Sequence, residues 1–135
     1  MKKKPRVLIA DDDLQVLETT AEAVEELGAE VVRAASGVEL IQRLTAGGLF
    51  DLIVTDISMP WISGLQVIHT ARAAGLRTPV IVMTALKDAQ IAKQVDQLAS
   101  GAVLLRKPFD LSNLQSAMRD ALSQSGAVPS ALVGQ

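Results

Sequence analysis

Acidic, hydroxyl and lysine side chains follow four short apolar runs of the chain. These candidate residues are Asp11, Asp12, Asp13, Asp56, Thr84 and Lys107. Each is ordinary by itself, and Asp13 in particular is expected to cap the helix that follows it. As a set they form an acidic cluster if the four runs are neighbouring strands. Two carboxylates about 4 Å apart repel by about 4 kcal/mol at an effective dielectric constant near 20, so such a cluster predicts a bound divalent cation.

The donor atoms of this cluster indicate which cation it holds. The chain has no cysteine and one histidine, so the available ligands are oxygens, which favour Mg²⁺ before Ca²⁺. Mg²⁺ held by few carboxylates keeps water molecules that phosphoryl oxygens can replace. Thr84 and Lys107 can bind the other oxygens of a transferred group. A carboxylate nucleophile such as Asp56 in these surroundings is equipped to form an aspartyl phosphate.

Five strands that alternate with helices are expected to position these residues. The predicted strands are Val7–Ala10, Glu30–Ala34, Leu52–Thr55, Pro79–Met83 and Ala102–Leu105. Four of them are almost continuous Val, Ile and Leu, which is typical of a parallel sheet covered on both faces. We predict an α/β doubly wound, flavodoxin-like fold with strand order 2-1-3-4-5. Ligands of such sheets bind beyond the carboxyl ends of the strands, where the strand order reverses.

Several helix starts can also be predicted from capping residues. The expected caps are Ser36 with Glu39, Ser63 with Gln66, and Asp110. The fourth helix is expected over residues 88–99. We expect one domain over residues 1–124 and a flexible C-terminal tail over residues 125–135.

Composition limits the classes of function. The 135 residues are 49% hydrophobic and 21% charged, which is typical of a folded domain. The lack of cysteine excludes disulfides and thiolate chemistry and fits the reducing cytoplasm, which is the location we expect. A net charge of −2 gives no reason to expect direct binding to nucleic acid or to a membrane. No run approaches the roughly 20 apolar residues of a membrane span.

Four segments of the chain carry a resemblance to a known family. They are Val7–Asp13, Asp51–Gly64, Val82–Ala85 and Arg106–Phe109. Over about residues 5–124 the chain resembles the receiver domain of two-component response regulators, the CheY-like family. The resemblance implies that Asp56 accepts a phosphoryl group from the phosphohistidine of a histidine kinase or phosphotransfer protein.

The same resemblance implies roles for the other candidate residues. Asp11 and Asp12 would serve Mg²⁺, with Asp12 and Asp56 as direct ligands and the main-chain carbonyl of Ser58 as the third protein ligand. Thr84 would form a hydrogen bond to the phosphoryl group.

Lys107 would form an ion pair with the phosphoryl group. The resemblance also implies that the Lys107–Pro108 peptide bond is cis. Only about 5–6% of X-Pro bonds in folded proteins have this conformation. A downstream protein would bind on helix 4, strand 5 and helix 5. The chain would transfer a phosphoryl group to itself and lose it again, without being a turnover enzyme.

Four positions depart from the family pattern or tune its reaction, and one of them is Ser63, which stands where Asp is frequent. Leu104 stands where Tyr or Phe is usual, so the usual aromatic rotamer switch is not possible there. Trp61 stands where Gly is frequent, and we expect its ring to lie over the surface, with a partner anchor as the alternative. In the family, the position two residues after the threonine, here Leu86, affects how fast water removes the phosphoryl group. Leucine has no acid or amide that could position this water molecule, so we expect slow loss of the phosphoryl group.

Three other functions compete with this hypothesis. An aspartyl-phosphate phosphatase would commonly carry Asp-x-Asp, whereas Asp56 is followed by Ile57 and Ser58. A nucleotide or flavin site is disfavoured because the chain has no G-x-G-x-x-G or Walker motif. A receiver-like scaffold that is not phosphorylated is disfavoured by the complete set of acidic residues, although Leu104 keeps this alternative open.

Overall fold

The computed structural model describes residues 4–86, 89–98 and 102–125. Five parallel strands form one sheet in the order β2-β1-β3-β4-β5, which confirms the predicted topology. The strands are β1 (Arg6–Ala10), β2 (Glu30–Ala34), β3 (Leu52–Asp56), β4 (Val80–Thr84) and β5 (Ala102–Arg106). The helices are α1 (Leu14–Glu26), α2 (Gly37–Thr45), α3 (Gly64–Ala73), α4 (Ala89–Asp96) and α5 (Leu111–Ser125).

Apolar residues cover both faces of the sheet. Successive side chains of a strand point to opposite faces, so a continuous apolar strand supplies both layers. Val7 and Ile9 of β1 belong to the cluster that includes residues of α1 and α5. Leu8 of β1 belongs to the cluster on the other face, which includes residues of α2, α3 and α4. The helices that follow the neighbouring strands β1 and β3 therefore lie on opposite faces of the sheet. This reversal opens a crevice at the carboxyl ends of the two strands.

Three strands, β3, β4 and β5, end one residue later than the sequence predicts. Asp56 and Thr84 are the last residues of β3 and β4, although both were expected directly after their strands. The sheet pairing explains the difference, because Asp56 lies opposite Met83 and Thr84 lies opposite Arg106. The main chain of each residue is therefore paired with a neighbouring strand, and this pairing restrains the position of the side chain more than a loop would.

Side-chain caps start the helices that flank this edge. The expected caps accept main-chain hydrogen bonds as follows: Asp13 from Gln15 and Val16, Ser36 from Glu39, Ser63 from Gln66, and Asp110 from Asn113. The reciprocal contact at α2 differs from a standard capping box, since the Glu39 carboxylate accepts from the main-chain nitrogen of Ala35. These caps define the residue at which each helix begins, close to the carboxyl edge of the sheet.

The limits of α4 and of the tail are only partly described. α4 runs from Ala89 to Asp96, and two residues of the predicted helix, Asp88 and Ala99, lie outside the described residues. α5 continues to Ser125, so the predicted boundary between domain and tail falls within its last turn, and residues 126–135 lie outside the described part. Among the described residues, no helix has both the length and the apolar character of a membrane span.

Candidate functional site

Three carboxylates meet at the carboxyl edge of the sheet. Asp11 and Asp12 follow β1 directly, and Asp56 ends the neighbouring strand β3. Each offers one oxygen atom within 4.8 Å of the oxygens offered by the other two. Asp11 and Asp56 are buried, whereas Asp12 is exposed. The cluster is therefore open to solvent on the Asp12 side and closed by the sheet on the other.

Lys107 joins this cluster from the loop after β5. Its ammonium nitrogen Nζ lies 2.7 Å from Oδ2 of Asp11 and 3.3 Å from Oδ1 of Asp56. The other oxygen of Asp11, Oδ1, accepts a hydrogen bond from the main-chain nitrogen of Asp13 at 2.9 Å. The Lys107–Pro108 peptide bond is cis, as the resemblance implied. The contact between Lys107 and Asp11 was not expected from sequence, since it joins residues that lie 96 positions apart in the chain.

Burial and like charges perturb the acidity of the central carboxyl group. The pKa of Asp56 is raised to about 6, chiefly because the group is buried and next because the Asp11 carboxylate is close. Lys107 opposes this rise but does not cancel it. Burial by itself would lower the pKa of Lys107, but the hydrogen bond to Asp11 and the charge of Asp56 raise it on balance. Asp56 is therefore largely ionised at pH 7, and Lys107 is a cation.

The donor set fits a hard divalent cation. Three carboxylates supply only oxygen, and a single lysine cannot neutralise all three. The negative charges of Asp56 and Asp11 repel each other at this separation, and a bound cation would reduce this repulsion. Of the predicted ligands, Ser58 lies two residues beyond Asp56 in the loop that precedes α3 and is exposed.

Thr84 reaches the same edge from β4, the strand next to β3. The side chain of Thr84 is buried, and its hydroxyl oxygen Oγ1 accepts a hydrogen bond from the main-chain nitrogen of Leu86 at 2.9 Å. The carbonyl oxygen of Leu86 accepts from Nη1 of Arg106 at 2.8 Å. Sequence reasoning singled out Thr84 but missed the contribution of Arg106. The only signal for it is the strand register, which sets Arg106 opposite Thr84.

Trp61 is placed differently from our expectation. It is 99% exposed, so its ring does not lie over the surface. Its φ of 73° is a left-handed backbone conformation, which is uncommon for a residue other than glycine. Two other residues, His69 and Asp51, do not belong to the acidic cluster. His69 is exposed on α3, and the Asp51 carboxylate binds the main-chain nitrogen of Arg6 at the opposite edge of the sheet.

Replacing Asp56 with asparagine is expected to stabilise the metal-free protein. The ionised carboxylate is penalised in the folded state, because its pKa rises from 3.8 to about 6. The penalty is therefore present above pH 6 and disappears as both states become protonated below pH 4. At pH 7 in EDTA we expect the melting temperature of Asp56→Asn to be about 3 °C higher than that of the wild type. Calorimetry at pH 7 and pH 4 checks this, and a variant that melts lower at pH 7 contradicts it.

Comparison with known proteins agrees with this architecture. A family model described as the response regulator receiver domain matches residues 7–119. The response regulator protein PmrA of Pseudomonas aeruginosa is 39% identical over 115 residues, which are 84% of this chain and 51% of that protein. The response regulator MprA of a Mycobacterium species is 36% identical over 121 residues, with coverages of 89% and 51%. The chain thus spans about half the length of these curated relatives.

Solved structures show the same fold. A response regulator receiver domain protein from Clostridium thermocellum is 27% identical, with a TM-score of 0.80 and coverage of 90% of this chain and 97% of that one. The chemotaxis protein CheY4 of Vibrio cholerae has the same TM-score of 0.80 at 23% identity, a likeness of fold alone, and covers 89% of this chain. The strand order, the acidic edge and the match over residues 7–119 together assign the chain. It belongs to the response regulator receiver domain family of two-component signalling.

Proposed function

We propose that Asp56 is the phosphoacceptor of this receiver domain. The observation that carries the proposal is the position of its buried carboxylate, which lies in the acidic cluster with the Lys107 ammonium nitrogen 3.3 Å away. A carboxylate oxygen of Asp56 forms a bond to phosphorus while the P–N bond of a phosphohistidine breaks. The departing imidazole keeps the bonding electron pair, and it leaves as a neutral ring when its other nitrogen carries a proton.

Asp11, Asp12, Asp56 and the Ser58 carbonyl would hold Mg²⁺ in this site. When bound, Mg²⁺ offsets the negative charge of the carboxylates and of the incoming phosphoryl oxygens. Lys107 supplies a further positive charge, and its ammonium group is already oriented by Asp11. The Thr84 hydroxyl would donate its hydrogen to a phosphoryl oxygen, because its own oxygen already accepts from Leu86.

A groove beside the site gives a phosphodonor room to approach. A cavity of about 400 Å³ lies between α1 and the loop after β5, and its lining includes Gln15, Val16, Phe109 and Lys107. Its mainly apolar wall fits part of a protein surface better than a free anion. The donor we propose is a histidine kinase or phosphotransfer protein in the cytoplasm.

The phosphorylated domain would act on a downstream protein through α4, β5 and α5. Phosphorylation adds about −1.5 to −2 charge units at one point of the carboxyl edge. Two cations lie at the end of β5, because Arg106 is its last residue and Lys107 follows it directly. The domain would transfer the phosphoryl group to its own side chain and lose it slowly, as Leu86 suggests, and would not process a free substrate.

Removal of the metal is expected to slow phosphorylation strongly. With Mg²⁺ and acetyl phosphate, we expect intact-mass spectrometry to show one added phosphoryl group for each chain. In EDTA the rate should fall by about a hundredfold or more, because a main source of charge stabilisation is lost. Ca²⁺ in place of Mg²⁺ serves as a control for the hard, six-coordinate ion. A wild-type chain that gains no mass with Mg²⁺ and donor present would leave the scaffold function as the better reading.

A further inference from the structure

The turn after β4 is held at two points by the end of β5. The main-chain nitrogen of Lys107 donates a hydrogen bond to the Thr84 carbonyl oxygen at 2.7 Å. Nη1 of Arg106 donates to the Leu86 carbonyl oxygen at 2.8 Å. The first contact belongs to the backbone and needs no particular side chain, whereas the second depends on the identity of Arg106.

The same turn sets the orientation of the Thr84 hydroxyl group. The Leu86 main-chain nitrogen donates to Oγ1 of Thr84, so Leu86 is bound at its nitrogen by Thr84 and at its carbonyl by Arg106. The two hydrogen bonds lie on either side of one α-carbon and restrict both backbone torsions of Leu86. Releasing the carbonyl would let the Leu86 N–H leave Oγ1, and the hydroxyl would then lose its fixed direction.

Arg106 also connects this turn to the α4 side of β5. Alternate residues of a strand share a face, so Arg106 lies on the same face as Leu104. Leu104 packs against the apolar cluster that contains Val95 of α4. One hydrogen bond thus links this face of β5 to Leu86, and a second links Leu86 to the Thr84 hydroxyl group. A movement of α4 or of this face of β5 could reach Thr84 through these two bonds.

We propose that Arg106 is a positioning residue that orients the Thr84 hydroxyl through the Leu86 turn. This inference rests on the proposed role of Asp56 and Thr84 in phosphoryl transfer. A guanidinium suits the task because it is always charged, and hydrogen bonds from charged donors are stronger than neutral ones. Leu104 has no hydrogen-bonding side-chain atom, so of these two neighbours on the face only Arg106 can make such a link.

Kinetics with a small phosphodonor test the proposal. With Mg²⁺ and acetyl phosphate, we expect Arg106→Ala to lower the rate of phosphorylation by about three- to tenfold, the effect of losing one hydrogen bond. Arg106→Lys should recover part of the rate, because an ammonium can also donate to the Leu86 carbonyl. Arg119→Ala, which removes an exposed arginine from α5, is the matched control and should react like the wild type.

A double-mutant cycle separates this role from a general loss of structure. If Arg106 acts through Thr84, then Arg106→Ala should change the rate less than twofold in a Thr84→Ala background. An equal loss in both backgrounds, or an unchanged rate in the single variant, would overturn the proposal.

Amide hydrogen exchange provides a readout that needs neither metal nor phosphorylation. By NMR of the metal-free protein, we expect the Leu86 amide to exchange about three- to tenfold faster in Arg106→Ala than in the wild type or Arg119→Ala. Unchanged exchange would overturn the link between Arg106 and Leu86. A wild-type chain that is not phosphorylated would instead contradict the proposed function, while this exchange measurement would still decide whether the link exists.

Discussion

Asp56→Asn is expected to abolish phosphorylation by acetyl phosphate in the presence of Mg²⁺. The amide of asparagine is neutral and a poor nucleophile, so no acyl phosphate forms at this position. The substitution keeps the size of the side chain at the end of β3, so the sheet and its core should be unchanged. Intact-mass spectrometry should therefore show no added phosphoryl group under conditions that modify the wild type completely.

The matched control lies at the other end of the same strand. Asp51 precedes β3, and its carboxylate accepts a hydrogen bond from the main-chain nitrogen of Arg6 at 2.8 Å. Asp51→Asn keeps an acceptor oxygen and should be phosphorylated at the wild-type rate. Phosphorylation of Asp56→Asn, or its loss in Asp51→Asn, would show that the acceptor lies elsewhere in the chain.

Gly64→Ala is expected to be the most destabilising small substitution near the site. A Cβ atom built on Gly64 would overlap the main-chain carbonyl oxygen of Asp56 and the hydroxyl group of Thr55. Both belong to β3 and are buried, so neither can move away as the end of a flexible side chain could. We expect the free energy of unfolding in urea to fall by about 3 kcal/mol, and phosphorylation to slow because the main chain at Asp56 is displaced.

Gly47→Ala distinguishes this overlap from the general cost of replacing glycine. Gly47 has a φ of +88°, and no atom lies within 4 Å of a Cβ built there. Its replacement should cost only about 1 kcal/mol, from the left-handed backbone conformation. If the two variants lose equal stability, then the close approach of α3 to the end of β3 does not constrain this site as we describe.

These two predictions probe the same property of the domain, which is the fixed position of Asp56. Asp56 ends a central strand whose main chain is paired on both sides by β1 and β4. The first turn of α3 then presses Gly64 against it. A carboxylate held this firmly cannot move away from Asp11, so the repulsion between them is retained until a cation or a proton reduces it.

Much of this arrangement can be predicted from the order of residues along the chain. An uninterrupted apolar run such as Leu52–Thr55 has apolar side chains on both faces of its strand. Both faces must then be buried, as they are in a parallel sheet covered by helices on each side. The strand order follows from the family resemblance and from the handedness of the crossovers. Since ligands bind beyond the strand ends at the switch point, Asp11, Asp12, Asp56, Thr84 and Lys107 could be named as candidates without coordinates.

The contacts between those residues depend on tertiary structure. The pairing of Lys107 with Asp11 joins residues that are 96 positions apart. No local pattern encodes such a distance. The full exposure of Trp61 likewise has no signal in the sequence, because tryptophan is usually well buried in folded proteins.

The sequence by itself thus determined the fold, the family and the set of chemical groups at the carboxyl edge. These depend on residue types and spacing, which the chain carries in every conformation. The tertiary structure decided that Asp56 and Thr84 belong to strands, that Asp11 holds Lys107, and that Arg106 reaches the Leu86 carbonyl. These features depend on register and packing between β4 and β5, since hydrogen bonds form only within about 3 Å and sequence spacing does not fix distances at that scale.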